Sequence, residues 1–180
     1  VPTLLLVHRK DLLVKFYGGG KAPNNEGFLD LTDGASVGII GDGVWRPGLI
    51  TVATFQSIWS ALSGRDPAGA LQLIEQARCI VVDEGHHIPA KTFEAIMKLA
   101  KNARYRYAFS ATPFKSDDQE AMFRVTAWTG PIIHLVTPAE GVAIGRLVPA
   151  NIFFLSPTWP RNERLYETVT DKKGKTRLAL

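Results

Sequence analysis

At 180 residues, 46% of them hydrophobic and 21% charged, the chain can bury one sizeable core, and its composition is that of a globular rather than a disordered or fibrous protein. No apolar run approaches the roughly 18 residues of a membrane span. The single cysteine, Cys79, excludes an internal disulfide framework and suits a reducing, intracellular compartment. A net charge of +4 is weak ground for a polyanionic partner by itself, although Arg161, Arg164, Lys172, Lys173, Lys175 and Arg177 crowd the last twenty residues.

Val1 and Pro2 lead directly into a strand-like run with no charged leader, so the expectation is a piece of a longer protein without a signal peptide. The first strand is expected at Thr3–Val7, and Asp11–Tyr17 begins a helix. Gly18 to Asn25 is turn chemistry. Strands follow at Ser36–Ile40 and Leu49–Ala53, then helices at Phe55–Leu62 and Ala68–Gln76. A strand at Cys79–Val82, a helix at Lys91–Ala100 and a strand at Tyr105–Phe109 come next. A helix at Gln119–Trp128 and strands at Ile132–Leu135 and Ile152–Leu155 complete the series. Several strands are apolar throughout, as strands covered on both faces are, and the alternation with helices predicts an α/β fold with a mostly parallel sheet. From Ser156 onward Pro157, Pro160 and Gly174 read as a linker.

The glycine cluster before Lys21 is a decoy for a phosphate-binding loop. The pattern G-x-x-x-x-G-K-[ST] needs glycine where Lys15 stands and a hydroxyl where Ala22 stands. Cys79, His86 and His87 make no zinc site, because no second pair has ligand spacing. His87, His8 and His134 read as structural histidines by residue type.

The chemistry lies in Cys79-Ile80-Val81-Val82-Asp83-Glu84-Gly85-His86, a buried strand ending in two adjacent carboxylates. Ligands bind at the carboxyl ends of strands in open α/β sheets. There Asp83 can hold magnesium through water, beside nucleotide phosphates, and Glu84 can orient and polarise the attacking water. Acids after a strand also suit a helix N-terminus. The next strand, Tyr105–Phe109, ends in Ser110-Ala111-Thr112-Pro113, and the two strand ends together are far more specific than either alone.

Asp83-Glu84-Gly85-His86 resembles motif II of the superfamily 2 helicases, and Ser110-Ala111-Thr112 resembles their motif III. Leu6 to Leu13 is similar to motif Ia, and Ile50 to Ile58 to the later nucleic-acid element in which a threonine opens a helix. The segments Pro138-Ala139-Glu140, Gly145 to Pro149 and Ile152-Phe153-Phe154 resemble the crossover in the branch of phage recombination helicases, the repair helicase XPB and restriction translocases. The resemblance implies a three-layer RecA-like P-loop NTPase domain over residues 1–155, truncated before its P-loop, and a linker over 156–180 toward a second RecA-like domain of the same parent chain. It also implies ATP and Mg2+ as cofactors, DNA as partner, and no membrane.

By the same resemblance Asp83, Glu84 and His86 are catalytic, with His86 coupling nucleotide state to domain closure. Ser110, Ala111 and Thr112 serve coupling, and His8, Arg9, Lys10, Thr54 and Gln56 contact nucleic acid. The leading reading is an ATP-dependent DNA helicase or translocase. An RNA-directed DExH helicase stands as an alternative because motifs II and III do not distinguish DNA from RNA, and a non-hydrolysing nucleic-acid-binding or assembly module because the P-loop is absent from the sequence, as is the second domain's arginine finger.

Overall fold

The computed structural model describes residues 1–19, 26–32, 36–88, 90–111 and 119–149, with the backbone of two strands near the C-terminus. The described chain forms two compact units, Val1–Ile133 and His134–Leu180.

The first unit contains β1 (Thr3–Val7), α1 (Lys10–Tyr17), α2 (Phe28–Leu31), β2 (Val37–Gly41), β3 (Val44–Arg46), β4 (Ile50–Thr54) and α3 (Phe55–Ser60). A wide π-type turn over Ala61–Arg65 leads into α4 (Pro67–Gln76). Next come β5 (Cys79–Asp83), α5 (Lys91–Leu99), β6 (Tyr105–Phe109) and α6 (Gln119–Thr129). The sheet order is β3-β2-β4-β1-β5-β6, and every pairing is parallel except the β2–β3 hairpin. Parallel register brings the carboxyl ends of β1, β4, β5 and β6 to one edge: Val7 pairs with Thr54, and Asp83 with Phe109. The α/β fold and mostly parallel sheet expected from the sequence are present.

Alternate residues of each strand feed opposite layers. Leu4, Leu6, Ile40, Ala53, Ile80 and Val82 pack on one face with Ile58, Ile74, Phe93, Ile96 and Met97 of α3, α4 and α5. Leu5, Val7 and Val52 pack on the other with Leu13 of α1. That second layer covers β5 and β6 poorly. Tyr105, Tyr107 and Phe109 share its side of the sheet and are 53%, 41% and 63% exposed, and among the described residues β6 pairs only with β5.

Local chemistry explains the element ends. Asp66 caps α4 by accepting from Gly69 N at 3.0 Å, with Pro67 at the first helical position. Asp42 and Gly43, both at positive φ, close the β2–β3 hairpin in the left-handed region that such two-residue turns require. Arg106 leaves β6 on the opposite side from Tyr105 and donates to the carbonyls of Met97, Ala100 and Ala103 at 3.3, 2.7 and 3.1 Å. Burial pulls its pKa down, and Trp128 of α6 lies under the guanidinium at 5.5 Å. One side chain thereby caps α5 and ties it to β6.

One expectation needs correction. Ile132–Leu135 is not a strand: among the described residues no ladder partner takes it up, and Ile132, Ile133 and Leu135 are exposed. The hairpin strand β3 was not anticipated. The expected strand Ile152–Leu155 lies outside the described residues.

The second unit contains α7 (Pro138–Ala143), opened by a reciprocal cap in which Thr137 N donates to Glu140 Oε2 at 2.7 Å and Glu140 N to Thr137 Oγ1 at 3.2 Å. Within the segment read as a linker, β7 (Glu167–Thr170) and β8 (Thr176–Ala179) form an antiparallel pair. No helix among the described residues is long and apolar enough to cross a membrane.

Candidate active site

β5 is a run of β-branched and apolar residues held between β1 and β6, and it delivers Asp83 to the carboxyl edge of the sheet. Burial pushes the Asp83 carboxyl above its usual pKa, and the charge of Glu84 adds to the shift. The chain then turns sharply. Glu84 adopts a left-handed conformation (φ 54°, ψ 55°), which costs a non-glycine residue about 1–3 kcal/mol and persists only where its surroundings hold it. The hold is a single 3-10 turn over Gly85–His87, in which His87 N donates to Glu84 O at 2.9 Å.

Gly85 lies against β6, and a Cβ there would stand 2.7 Å from the Cβ of Ala108. Neither atom belongs to a side chain that can swing away. Gly85→Ala is therefore expected to force β5 and β6 apart at the site and to cost about 1–3 kcal/mol of stability. Denaturant unfolding of the variant beside wild type checks this; an unchanged midpoint would show that the two strand ends have slack.

The turn presents His86. Its Nδ1 lies 3.2 Å from Glu84 Oε2 and 3.0 Å from Ser110 Oγ at the end of β6. A carboxylate only accepts hydrogen bonds, so the approach to Glu84 is favourable when Nδ1 carries a proton, which Ser110 Oγ can also accept. The side chains of His86 and Glu84 are 26% and 43% exposed, which leaves the pair reachable from solvent while the turn behind it is packed. Asp83, Glu84, His86 and Ser110 are thus brought together at two adjacent strand ends. Ala111 follows Ser110 and is exposed; Thr112 lies outside the described residues.

The residues expected to contact nucleic acid sit at the neighbouring ends of β1 and β4. Arg9 and Lys10 are exposed and ion-paired to Asp11 and Asp42. Thr54 is buried, and its hydroxyl is occupied as the cap of α3, accepting from Ser57 N at 3.3 Å and donating to Ser57 Oγ at 2.8 Å. Gln56 Nε2 donates to the carbonyl of His8 at 2.9 Å. The His8 ring does not point to open solvent: it stacks between Phe55 at 5.3 Å and His87 at 4.3 Å. Sequence reasoning passed over Phe55 and His87, because the rings come from separate segments and no spacing marks them.

Residues 1–115 match the family described as type III restriction enzyme, res subunit. Among solved structures, the UvsW helicase from bacteriophage T4 is similar at a TM-score of 0.50 and 17% identity, over 71% of this chain and 42% of its own. The Pyrococcus furiosus Hef helicase domain is similar at 0.48 and 22% identity, over 73% of this chain and 28% of its own. The chain therefore spans less than half the length of either. No curated protein sequence matches it. With the family match over most of its length, the chain belongs to the family of the type III restriction enzyme res subunit, and its α/β fold is similar to that of a helicase RecA-like domain.

Proposed function

We propose that the chain is the first motor domain of an ATP-dependent DNA helicase or translocase, with residues 1–155 as its partial domain and 156–180 as the linker toward a second RecA-like domain. The observation that carries the reading is His86, whose Nδ1 reaches both Glu84 and Ser110 and so joins the acid pair to the neighbouring strand end.

Glu84 orients and deprotonates the attacking water, held in place by the left-handed turn and by His86. Asp83 holds magnesium through water. The residues fit that ion: burial and the adjacent Glu84 charge disfavour the Asp83 carboxylate, and a divalent cation relieves both. Among the described residues no group of three His, Cys, Asp or Glu could hold a metal unaided. Magnesium, when bound, neutralises the charge that develops on the phosphates. Ser110, Ala111 and Thr112 relay the state of the site to the second domain. Arg9, Lys10 and Gln56, with the backbone at His8 and the Thr54 cap, form the edge that meets the phosphodiester backbone.

This sequence contains no phosphate cradle, and in this reading one is supplied by a strand, loop and helix outside it. The open edge of β6 and the exposed face of Tyr105, Tyr107 and Phe109 are a seat of that kind, since a parallel sheet is ordinarily covered on both sides. Membership in a restriction-enzyme family favours DNA over RNA. The test is ATP turnover by the full-length protein with single- or double-stranded DNA and with RNA of the same sequence. DNA is expected to stimulate turnover at least about tenfold. Stimulation by RNA alone would overturn the DNA assignment, and binding without turnover would favour a non-hydrolysing module.

A further inference from the structure

The rings around His8 form a continuous column. Phe93 of α5 meets Phe55 at 4.6 Å in a tilted contact, Phe55 stacks on His8 at 5.3 Å, His8 stacks on His87 at 4.3 Å, and the tilted ring of His86 meets His87 at 4.3 Å. The rings of the two stacked pairs are nearly parallel, with interplanar angles of 16° and 22°. Four chain segments contribute: α5, the start of α3, the end of β1, and the turn after β5. At one end His86 touches Glu84 and Ser110. The far end is Phe93 of α5, and midway along, the backbone that carries the His8 ring also carries Arg9 and Lys10 and is gripped by Gln56.

The His8 ring is held by packing alone. Its Nδ1 is buried with no hydrogen-bond partner among the described residues, an arrangement that loses free energy unless stacking offsets it. A ring placed there for hydrogen bonding would have a partner. Packed flat rings resist approach, so a shift of the β1 end or of Gln56 is passed along the column rather than absorbed.

We propose that His87 is a positioning residue: its ring fixes His86 against Glu84 and Ser110 and joins that contact, through His8 and Phe55, to the segments that meet nucleic acid. Binding at the β1 end then changes the fit of His86 on Glu84, and the coupling depends on the flat ring at position 87. This rests on the motor reading given above.

The experiment uses the full-length protein and compares His87→Ala, which removes the ring, with His87→Phe, which keeps it. ATP turnover is measured across DNA and ATP concentrations, alongside DNA affinity. His87→Ala is expected to lower the DNA-stimulated kcat about tenfold, within the range by which residues along a packed network modulate coupling, while the KM for ATP and the Kd for DNA move less than about twofold. His87→Phe is expected to restore kcat to within about threefold of wild type. If His87→Ala does not fold, His87→Leu, bulky but not flat, takes its place with the same expected loss. Wild-type kcat in His87→Ala or His87→Leu would overturn the proposal. So would a His87→Phe as impaired as the ring-less variant, which would assign the effect to the imidazole nitrogens. Failure of the motor reading looks different: wild type itself would show no DNA-stimulated turnover.

Discussion

Glu84→Gln in the full-length protein is expected to lower ATP turnover by about 10²–10⁴-fold, the usual contribution of a positioned general base, while ATP and DNA binding stay largely intact. Glutamine has the same shape as glutamate and keeps an oxygen that can accept from His86 Nδ1, so the contact at 3.2 Å and the turn that supports it survive. What is lost is the charge that polarises water and the ability to take its proton. Asp83→Asn should differ. It removes charge from the magnesium shell, so the loss appears first as weaker magnesium-nucleotide binding. Ser110→Ala should spare much of the hydrolysis and impair strand separation, because its hydroxyl meets His86 rather than the reacting atoms. Parallel ATPase, nucleotide-binding and unwinding assays separate the three. Near-normal turnover in Glu84→Gln would remove the base assignment and, with it, the motor reading of this strand end.

The 180-residue chain by itself is expected to show no DNA-stimulated ATPase. Its sequence contains no G-x-x-x-x-G-K-[ST] loop to cradle phosphates. An arginine finger from a second domain, commonly worth 10³–10⁵ in rate, would also be missing. Structure adds a second reason. On the β5–β6 half of the sheet Tyr105, Tyr107 and Phe109 are exposed, so the acid pair of β5 stands beside a surface that nothing described here covers. The check is phosphate release by the purified chain with and without DNA, beside the full-length protein. Robust turnover by the chain alone, abolished by Asp83→Ala, would show that the active site had been misplaced.

The elements most legible in the sequence were the parallel strands. Thr3–Val7 and Tyr105–Phe109 agree residue for residue, and β2, β4 and β5 fall within one residue of the reading. Covering on both faces gives β1 and most of β5 unbroken apolar runs, while β6, exposed on one face, alternates with a period of two, and both patterns can be seen one segment at a time. Asp42-Gly43 marked the β2–β3 hairpin just as plainly, yet it was passed over because the strand beyond it, Val44–Arg46, is only three residues long. The run Ile132–Leu135 misled for the opposite reason: β-branched residues describe what suits a strand, but only a partner across a ladder makes one.

The candidate site divides in the same way. Asp83 and Glu84 could be named from the sequence because they stand at the end of a recognisable strand, where such sheets bind ligands, and His86 and Ser110 because they complete helicase-like motifs. That His86 bridges Glu84 and Ser110, that His8 turns its ring inward between Phe55 and His87, and that Gly85 must lack a side chain beside Ala108 were decided by tertiary structure alone. The physical reason is register. Pairings such as Val7 with Thr54 and Asp83 with Phe109 set which residues of distant segments lie a few ångströms apart, and no local pattern carries that information.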